Sequence, residues 1–407
     1  MKIERCKGTR DLSPEEMAAF RLIEGTFRDC CLKWGYGEVK TPTLEYLHLF
    51  TATGTLTPSM LGRVYSFLDW DGWSGERVVL RPDGTIPVAR LYIDSMEGKE
   101  LAKLFYIANV FIFEATGKKT RERWQCGAEL IGAGSPAADL ELVMLALEVL
   151  KRLKIEGIEL KLSHAGLIRA LLARLELSPE EQARIFDRIL DGDTKVLAKV
   201  KPELGKALPR LLEWKGKSAD FVKQLKALFA TDLPRFQPYI DDFTKVAELL
   251  ETMGSDYQID LASVRGFEYY TGIIFQIFKG GDKIGGGGRY DALIPLMGGG
   301  NTPASGVALY LDRLMKLIKP KALAKPAGQS VLIKAEPLVV KEGLGIISRL
   351  HEAGYRAELY LGAQETTDFD WAIDIKSQAP RFILTDQAKQ QKIAAQTIDE
   401  VLKILKG

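Results

Sequence analysis

Histidine and cysteine are both scarce in this 407-residue chain, with three of the first and four of the second. His48, His164 and His351 stand far apart, and no HxxxH, HExxH or Cys/His spacing occurs, so zinc chemistry is not expected. Cys6, Cys30, Cys31 and Cys126 form neither a CxxC pair nor a disulfide framework and read as reduced, structural thiols. Net charge is only +2, from 56 basic and 54 acidic residues, whereas a dedicated nucleic-acid binder carries a clear basic excess to neutralise phosphates. No apolar run is long enough to span a bilayer, and MKIERCKGTRDLSPEE lacks the apolar core of a signal peptide. A cytoplasmic protein without membrane contact is expected.

What is present is ordinary globular material: 46% hydrophobic and 27% charged residues over a length that suits two or three domains. Ser13-Pro14-Glu15-Glu16 opens a helix with a cap, a first-turn proline and a capping-box acid, and Phe20, Ile23, Phe27 and Cys30/Cys31 recur on one face. EVKTPTLEYL follows as a strand interrupted by Pro42, which suits a sheet edge. Residues 64–69 and 77–81 read as a hairpin, and RPDGT at 81–85 as a polar turn leading into the helix IPVARLYIDSM. LFYIANVFIFE and the segment carrying Gln125 and Glu129 read as two strands joined by a basic loop. Ser135-Pro136 begins another capped helix, and GIELKLSHA gives a further strand.

From about 166 to 252 helical periodicity replaces strand signals, which predicts a helical insertion. Strand character resumes at 257–278, and GGDKIGGGGRY predicts a glycine-rich turn needing positive φ, or a close backbone approach, before the next strand and helix. It is not a P-loop. Asp241-Asp242 reads as a solvated helix start. KPKALAKPAG at 319–328 is a linker, beyond which strand SVLIK, a helix, strand YRAELYL, a short helix, strand RFILT and a final helix capped by Thr397 make a small α/β domain. The expected organisation is an α+β antiparallel-sheet core over 1–320 and a C-terminal α/β domain over 329–407.

Polar residues inside apolar segments mark the candidate site: Gln125, Glu129, Arg265, Tyr269, Tyr270 and Arg313. Buried charges need partners. Carboxylates and arginines on one sheet face suit a zwitterionic ligand, and the competing explanation is a structural ion-pair network.

Five motifs in order resemble histidyl-tRNA synthetase, a class II synthetase: GTRDLSPEE with WGYGEVKTP, RPDGT, the 104–132 hairpin, SVRGFEYYTGIIF, and GGGRYDALI with GVALYLDRL. The resemblance spans essentially the whole chain and implies the class II fold, with a dimer formed through the first motif. It also implies a histidine pocket at Asp83, Thr85, Gln125, Glu129, Arg265, Tyr269 and Tyr270. Asp83 is shorter than the glutamate of the family's RPEGT.

The departures fall on the ATP side. Where the family has FRxE, with arginine gripping the α-phosphate, this chain has Ile112. Where it has GLER, Tyr310 replaces the glycine, although Arg313 remains; KKTRERW also lacks the family's GRYREFH. The family's lysine-rich C-terminal segment corresponds to a stretch with Glu365, Asp368, Asp370 and Asp374 against Lys376, which would repel RNA. An amino-acid side kept and an ATP side lost resemble the family's non-aminoacylating paralogues, regulatory subunits of ATP phosphoribosyltransferase. That implies no catalytic residue or cofactor, a dimer within a hetero-oligomer, a short catalytic subunit as partner, histidine as the sensed ligand, and no tRNA. A divergent active synthetase and another amino-acid-binding regulator remain the alternatives.

Overall fold

The computed structural model describes residues 3–54, 56, 61–69, 75–112, 120–173, 177–190, 218–228, 233–260, 269–318, 328–362 and 368–406. The chain divides into two compact units, Met1–Leu323 and Ala324–Gly407.

The first unit begins with α1 (Pro14–Lys33), closed by a reciprocal capping box. Ser13 Oγ accepts from the Glu16 N–H at 3.2 Å, and the Glu16 carboxylate accepts from the Ser13 N–H at 2.9 Å. Its Phe20, Ile23, Phe27, Cys30 and Cys31 are buried. The segment expected as one strand around Pro42 is two strands in different sheets, β1 (Gly37–Glu38) and β2 (Leu44–Tyr46). Between them the carbonyls of Thr41 and Pro42 accept from the buried Arg81 guanidinium at 2.9 and 3.0 Å.

After α2 (Leu47–Ala52) come β3 (Ser66–Leu68) and β4 (Arg77–Leu80), which form a small antiparallel sheet in the order β2-β4-β3. Helix α3 (Thr85–Met96) leads to the long hairpin β5 (Ala102–Val110) and β6 (Arg123–Ile131). Helix α4 (Pro136–Arg152) and β7 (Glu159–His164) follow, then the helices α5 (Ala165–Ala173), α6 (Pro179–Leu190), α7 (Ser218–Leu228) and α8 (Leu233–Thr252). The unit ends with β8 (Gln258–Ile259), β9 (Ile273–Lys279), β10 (Asp282–Arg289), α9 (Leu293–Leu296), β11 (Ala304–Tyr310) and α10 (Leu311–Met315). Its main sheet has eight strands in the order β1-β5-β6-β11-β10-β9-β7-β8, antiparallel except for the outer pairs β1·β5 and β7·β8.

Period-two alternation divides this sheet between two cores. Cys126, Ala128 and Leu130 of β6 join one core with α1 and α4, while Leu104, Tyr106 and Ala108 of β5 face a second with α3. Gln125 and Glu129 alternate away from the first core, and this places them in the site.

The glycine run divides between its two expected uses: Gly280 and Gly281 take the positive φ of a turn, and Gly285–Gly288 lie inside β10. They are there for close approach, since a Cβ on Gly287 would stand 2.0 Å from the Gly306 carbonyl oxygen. Asp241-Asp242 is not a solvated helix start. Both lie within α8, and Asp242 Oδ2 is 3.2 Å from Nε2 of the buried His164. Ser135 precedes α4, but its hydroxyl makes no capping bond; its carbonyl accepts from Arg289 at 2.9 Å.

The second unit is a five-stranded sheet, β13-β12-β14-β15-β16, built from β12 (Ser330–Ala335), β13 (Arg356–Leu359), β14 (Trp371–Ile375), β15 (Phe382–Asp386) and β16 (Gln391–Ala395). Helices α11 (Val340–Glu352) and α12 (Ile398–Lys406) complete it, and the Glu400 N–H donates to Thr397 Oγ1 at 3.3 Å as expected of the cap. Between YRAELYL and RFILT, residues 363–367, where the expected short helix falls, lie outside the described residues, and an unexpected strand, the central β14, follows with Trp371, Ala372, Ile373 and Ile375 buried. β16 has no counterpart in the sequence reading. Among the acids of this region, Asp370 is occupied structurally, accepting from the Ser330 N–H at 2.7 Å and its hydroxyl at 2.8 Å. Glu365 and linker residues 319–327 lie outside the described residues.

Candidate functional site

On the second-core side of the large sheet a cleft opens, with about 500 Å³ of space unfilled by atoms, its mouth included. Asp83, Thr85, Gln125, Tyr269, Tyr270 and Tyr310, all singled out from the sequence, line it. Glu129 lies directly beneath the lining. Its Oε1 accepts from the Thr85 hydroxyl at 2.8 Å and its Oε2 from the Tyr290 hydroxyl.

Register fixes this arrangement. Glu129 of β6 pairs with Leu104 on one side and Gly306 on the other. A Cβ on Gly306 would stand 1.8 Å from Glu129 Oε2, so the carboxylate has room only because that position is glycine. Further back along the same face of β6, Gln125 pairs with Tyr310, and its Nε2 donates to the Tyr106 hydroxyl at 2.8 Å. The Tyr106 ring itself lies against Gly84 and Gly127, where a Cβ would come within 2.2 Å of it. Asp83 stands just before α3, with Oδ1 accepting from the Ile86 N–H at 3.0 Å, while its buried Oδ2 has no hydrogen-bond partner.

The electrostatics are unusual for two acids. Burial pushes Glu129 up to about 8, a rise opposed by the Tyr290 and Thr85 hydrogen bonds and reinforced by Asp83. Burial likewise pushes Asp83 up to about 6 against the pull of the Ile86, Thr85 and Gly84 amides. The Tyr106, Tyr269, Tyr270 and Tyr290 hydroxyls are all raised by burial and stay neutral. Among the described residues no lysine or arginine forms an ion pair with Asp83 or Glu129, so the competing picture of a structural ion-pair network does not apply to this pair.

The pair makes stability depend on pH. An unfolded glutamate ionises near pH ~4.3, whereas Glu129 holds its proton in the fold until about 8. Between these values the folded state binds more protons, so stability falls as pH rises. The unfolding temperature is expected to be about 5 °C higher at pH 5.5 than at pH 8, and Glu129→Gln to flatten that difference. A wild-type midpoint that rises between these pH values would contradict the assignment.

Not every sequence-derived site residue enters the cleft. Arg265 lies outside the described residues, as do Phe113 and Glu114 of the hairpin. Ile112 is half-buried two residues past β5, next to Phe111, whose N–H donates to the Arg81 carbonyl at 2.9 Å; it does not contribute to the cleft lining. Arg313 does not line the cleft but stands against two residues that do, donating to the Lys283 carbonyl at 2.5 Å with its guanidinium 5.6 Å from the centre of the Tyr310 ring. Tyr106 and Tyr290 also belong to the site, though neither stands out in the sequence. Tyr106 looks like core within an apolar strand, and Tyr290 stands within GGGRYDALI, where nothing local announces its hydroxyl's partner.

Residues 8–314 match the family model described as histidyl-tRNA synthetase. The chain belongs to the histidyl-tRNA synthetase family. Within it, the chain falls with the ATP phosphoribosyltransferase regulatory subunits: it is 50% identical to one from Dehalococcoides mccartyi across 100% of this chain and 99% of that relative. A histidine–tRNA ligase from Methanosarcina acetivorans is 31% identical, again over 100% of this chain and 99% of the relative. Among solved structures, one described as an ATP phosphoribosyltransferase regulatory subunit/histidyl-tRNA synthetase from Bacillus halodurans superposes with a TM-score of 0.74 at 26% identity, covering 90% of this chain and 95% of that one.

Proposed function

We propose that this chain is a non-catalytic regulatory subunit that binds and activates a short-form ATP phosphoribosyltransferase catalytic subunit, in the first step of histidine biosynthesis. It works in the cytoplasm as a homodimer within a hetero-oligomer, its cleft senses histidine, and it binds neither tRNA nor a cofactor. The observation that carries this reading is the asymmetry of the cleft. Its amino-acid side keeps Thr85 and Tyr290 hydrogen-bonded to Glu129, and Gln125 to Tyr106, while Tyr310 and Arg313 stand against each other at the end the family uses for nucleotide. A ligand preferred by one state of the assembly shifts the balance between active and inactive states by its difference in affinity, which is the basis of feedback here. No helix among the described residues is long and apolar enough to cross a membrane.

The test is reconstitution. Phosphoribosyl transfer to ATP is expected to be near background for the short catalytic subunit alone and to appear on mixing with this chain, with the two co-eluting in one complex. Histidine is expected to lower the activity of the mixture. Full activity of the catalytic subunit alone, or separate elution, would sink the reading. The 31% identity to a histidine–tRNA ligase favours the second reading, a divergent active synthetase, which histidine-dependent exchange of pyrophosphate with ATP would reveal.

A further inference from the structure

We infer that Arg289 is a two-position relay that carries occupancy of the cleft through the large sheet to the base of the helical insertion. This rests on the reading of the cleft as a histidine site and concerns where its signal goes.

The two faces of the sheet meet at the end of β10. Tyr290 points to the cleft, where its hydroxyl bonds Glu129 and its ring stands edge-on to Tyr269 with centroids 5.4 Å apart. Arg289, one residue earlier, reaches the opposite side. Its Nη2 donates to the Ser135 carbonyl at 2.9 Å and to Asp139 Oδ2 at 2.5 Å, both at the start of α4. Its own carbonyl accepts from the Thr271 N–H at 2.8 Å, directly after the cleft-lining pair Tyr269–Tyr270. Close-packed interiors transmit displacement, so a ligand that shifts any of these three rings moves the Arg289 backbone.

The pairing of Arg289 is incomplete. Asp139 is 1% exposed and Arg289 5%, yet Asp139 Oδ1 and Arg289 Nε both lack a hydrogen-bond partner. A forked pair of parallel bonds between guanidinium and carboxylate would satisfy both atoms at once. Two positions therefore compete. The observed one bonds Nη2 to the Ser135 carbonyl and leaves two buried atoms unpaired; the forked one pairs Nε and displaces Nη2 from its present place.

Beyond Asp139, the charges that Arg289 faces are Asp242 of α8 and Asp291. Burial works against the Asp242 carboxylate, but the His164 bond, Arg289 and Lys245 outweigh it and hold the group below its usual range. His164 closes β7 immediately before α5, and both of its ring nitrogens are engaged. Nδ1 accepts from the Leu167 N–H and Nε2 meets Asp242 Oδ2, each at 3.2 Å. One bond thus ties the last helix of the insertion to the strand that precedes it. Backbone contacts follow the same route. The Ala165 N–H donates to the Gly272 carbonyl at 2.9 Å, and a Cβ on Gly272 would stand 2.8 Å from Arg289 Cδ. Turning the guanidinium moves the charge that Asp242 faces, and with it the His164 bond. Asp242 also lines an open groove with Gly134 and Pro136, so the relay ends at the surface.

The experiment is NMR of the ¹⁵N-labelled full chain, titrated with unlabelled L-histidine at constant pH. Three histidines are to be resolved, and His351 belongs to the second unit. The His164 ring signals are expected to move in proportion to saturation, with the midpoint of calorimetric binding, while those of His351 stay fixed. Arg289→Lys keeps the positive charge but has no fork to offer. It is expected to bind histidine still and to cut the His164 response about fivefold or more. If that variant does not fold, Asp139→Leu with Arg289→Met replaces the pair by apolar side chains, a change that buried pairs tolerate, and the same loss is expected. Histidine binding without movement of His164, or a full response in Arg289→Lys, would overturn the relay and leave the histidine site intact. Loss of binding in both variants would also overturn it, since Arg289 would then support the site itself. No histidine binding by the wild-type chain would overturn the relay and the histidine site together.

Discussion

Given ATP, histidine and labelled pyrophosphate, the chain is expected to exchange label at no more than about 10⁻² to 10⁻³ of the rate of an active synthetase of its family. The expectation comes from what stands on the nucleotide side. An arginine on the α-phosphate makes a charge-assisted contact that strengthens as charge develops, and losing a donor of that kind costs about 2.7–4 kcal/mol of transition-state stabilisation. Ile112 has no donor to offer. Arg313 is already engaged, with one of its nitrogens given to the Lys283 carbonyl and its guanidinium carbon 5.6 Å from the Tyr310 ring centre. Ile112→Arg alone is therefore expected to leave exchange at background, since Tyr310 still occupies its place at the edge of the cleft. Robust exchange by the wild-type chain would instead identify an active enzyme and remove the regulatory reading.

The second large effect is expected from one added methyl group. Gly306→Ala should destabilise the first unit by about 1–3 kcal/mol, the usual cost of overpacking, and reduce histidine binding below detection. The new Cβ would be 1.8 Å from Glu129 Oε2 and 3.2 Å from the Ala128 carbonyl oxygen. The carboxylate is the movable partner, but swinging it away breaks its bonds from Thr85 and Tyr290. Either the strand shifts or the site comes apart. Gly25→Ala is the control: Gly25 lies in α1, where an added Cβ would meet nothing within 4 Å, so alanine should stabilise the helix by about 0.5–1 kcal/mol. Denaturant midpoints and histidine calorimetry separate the two. Wild-type affinity in Gly306→Ala would mean that Glu129 does not hold the ligand.

Much of the fold is legible in the sequence because its signals are local. Ser13, Pro14 and Glu16 spell a helix start in four residues, and the structure forms that capping box. The site is legible where polarity contradicts its surroundings: Gln125 and Glu129 stand out in an apolar strand because burying them requires partners. What is not legible depends on tertiary neighbours. Trp371–Ile375 reads poorly as a strand because Asp370 and Asp374 interrupt its apolar pattern, and the Ser330 bonds that retain Asp370 come from a strand 40 positions earlier. Gly285–Gly288 look like a turn because strand glycines are rare, and only the nearness of β9 and β11 explains them. Asp242 looks solvated because its partner, His164, lies across the helical insertion.

The alternation of β6 between two cores also constrains how this lineage can change. A single inserted residue inside Arg123–Ile131 would turn the following part of the strand over, sending Glu129 into the apolar core and setting Ala128 or Leu130 toward the ligand. No single substitution could repair such a slip, because every following position would be on the wrong face. Descendants of this chain can therefore trade side chains along β6 one at a time, as Tyr310 shows at the cleft, whereas a change of length by one needs a bulge to absorb it, like the register shift between Lys283 and Gly285 in β10. Replacement is the open route at this cleft, and insertion needs a compensating bulge.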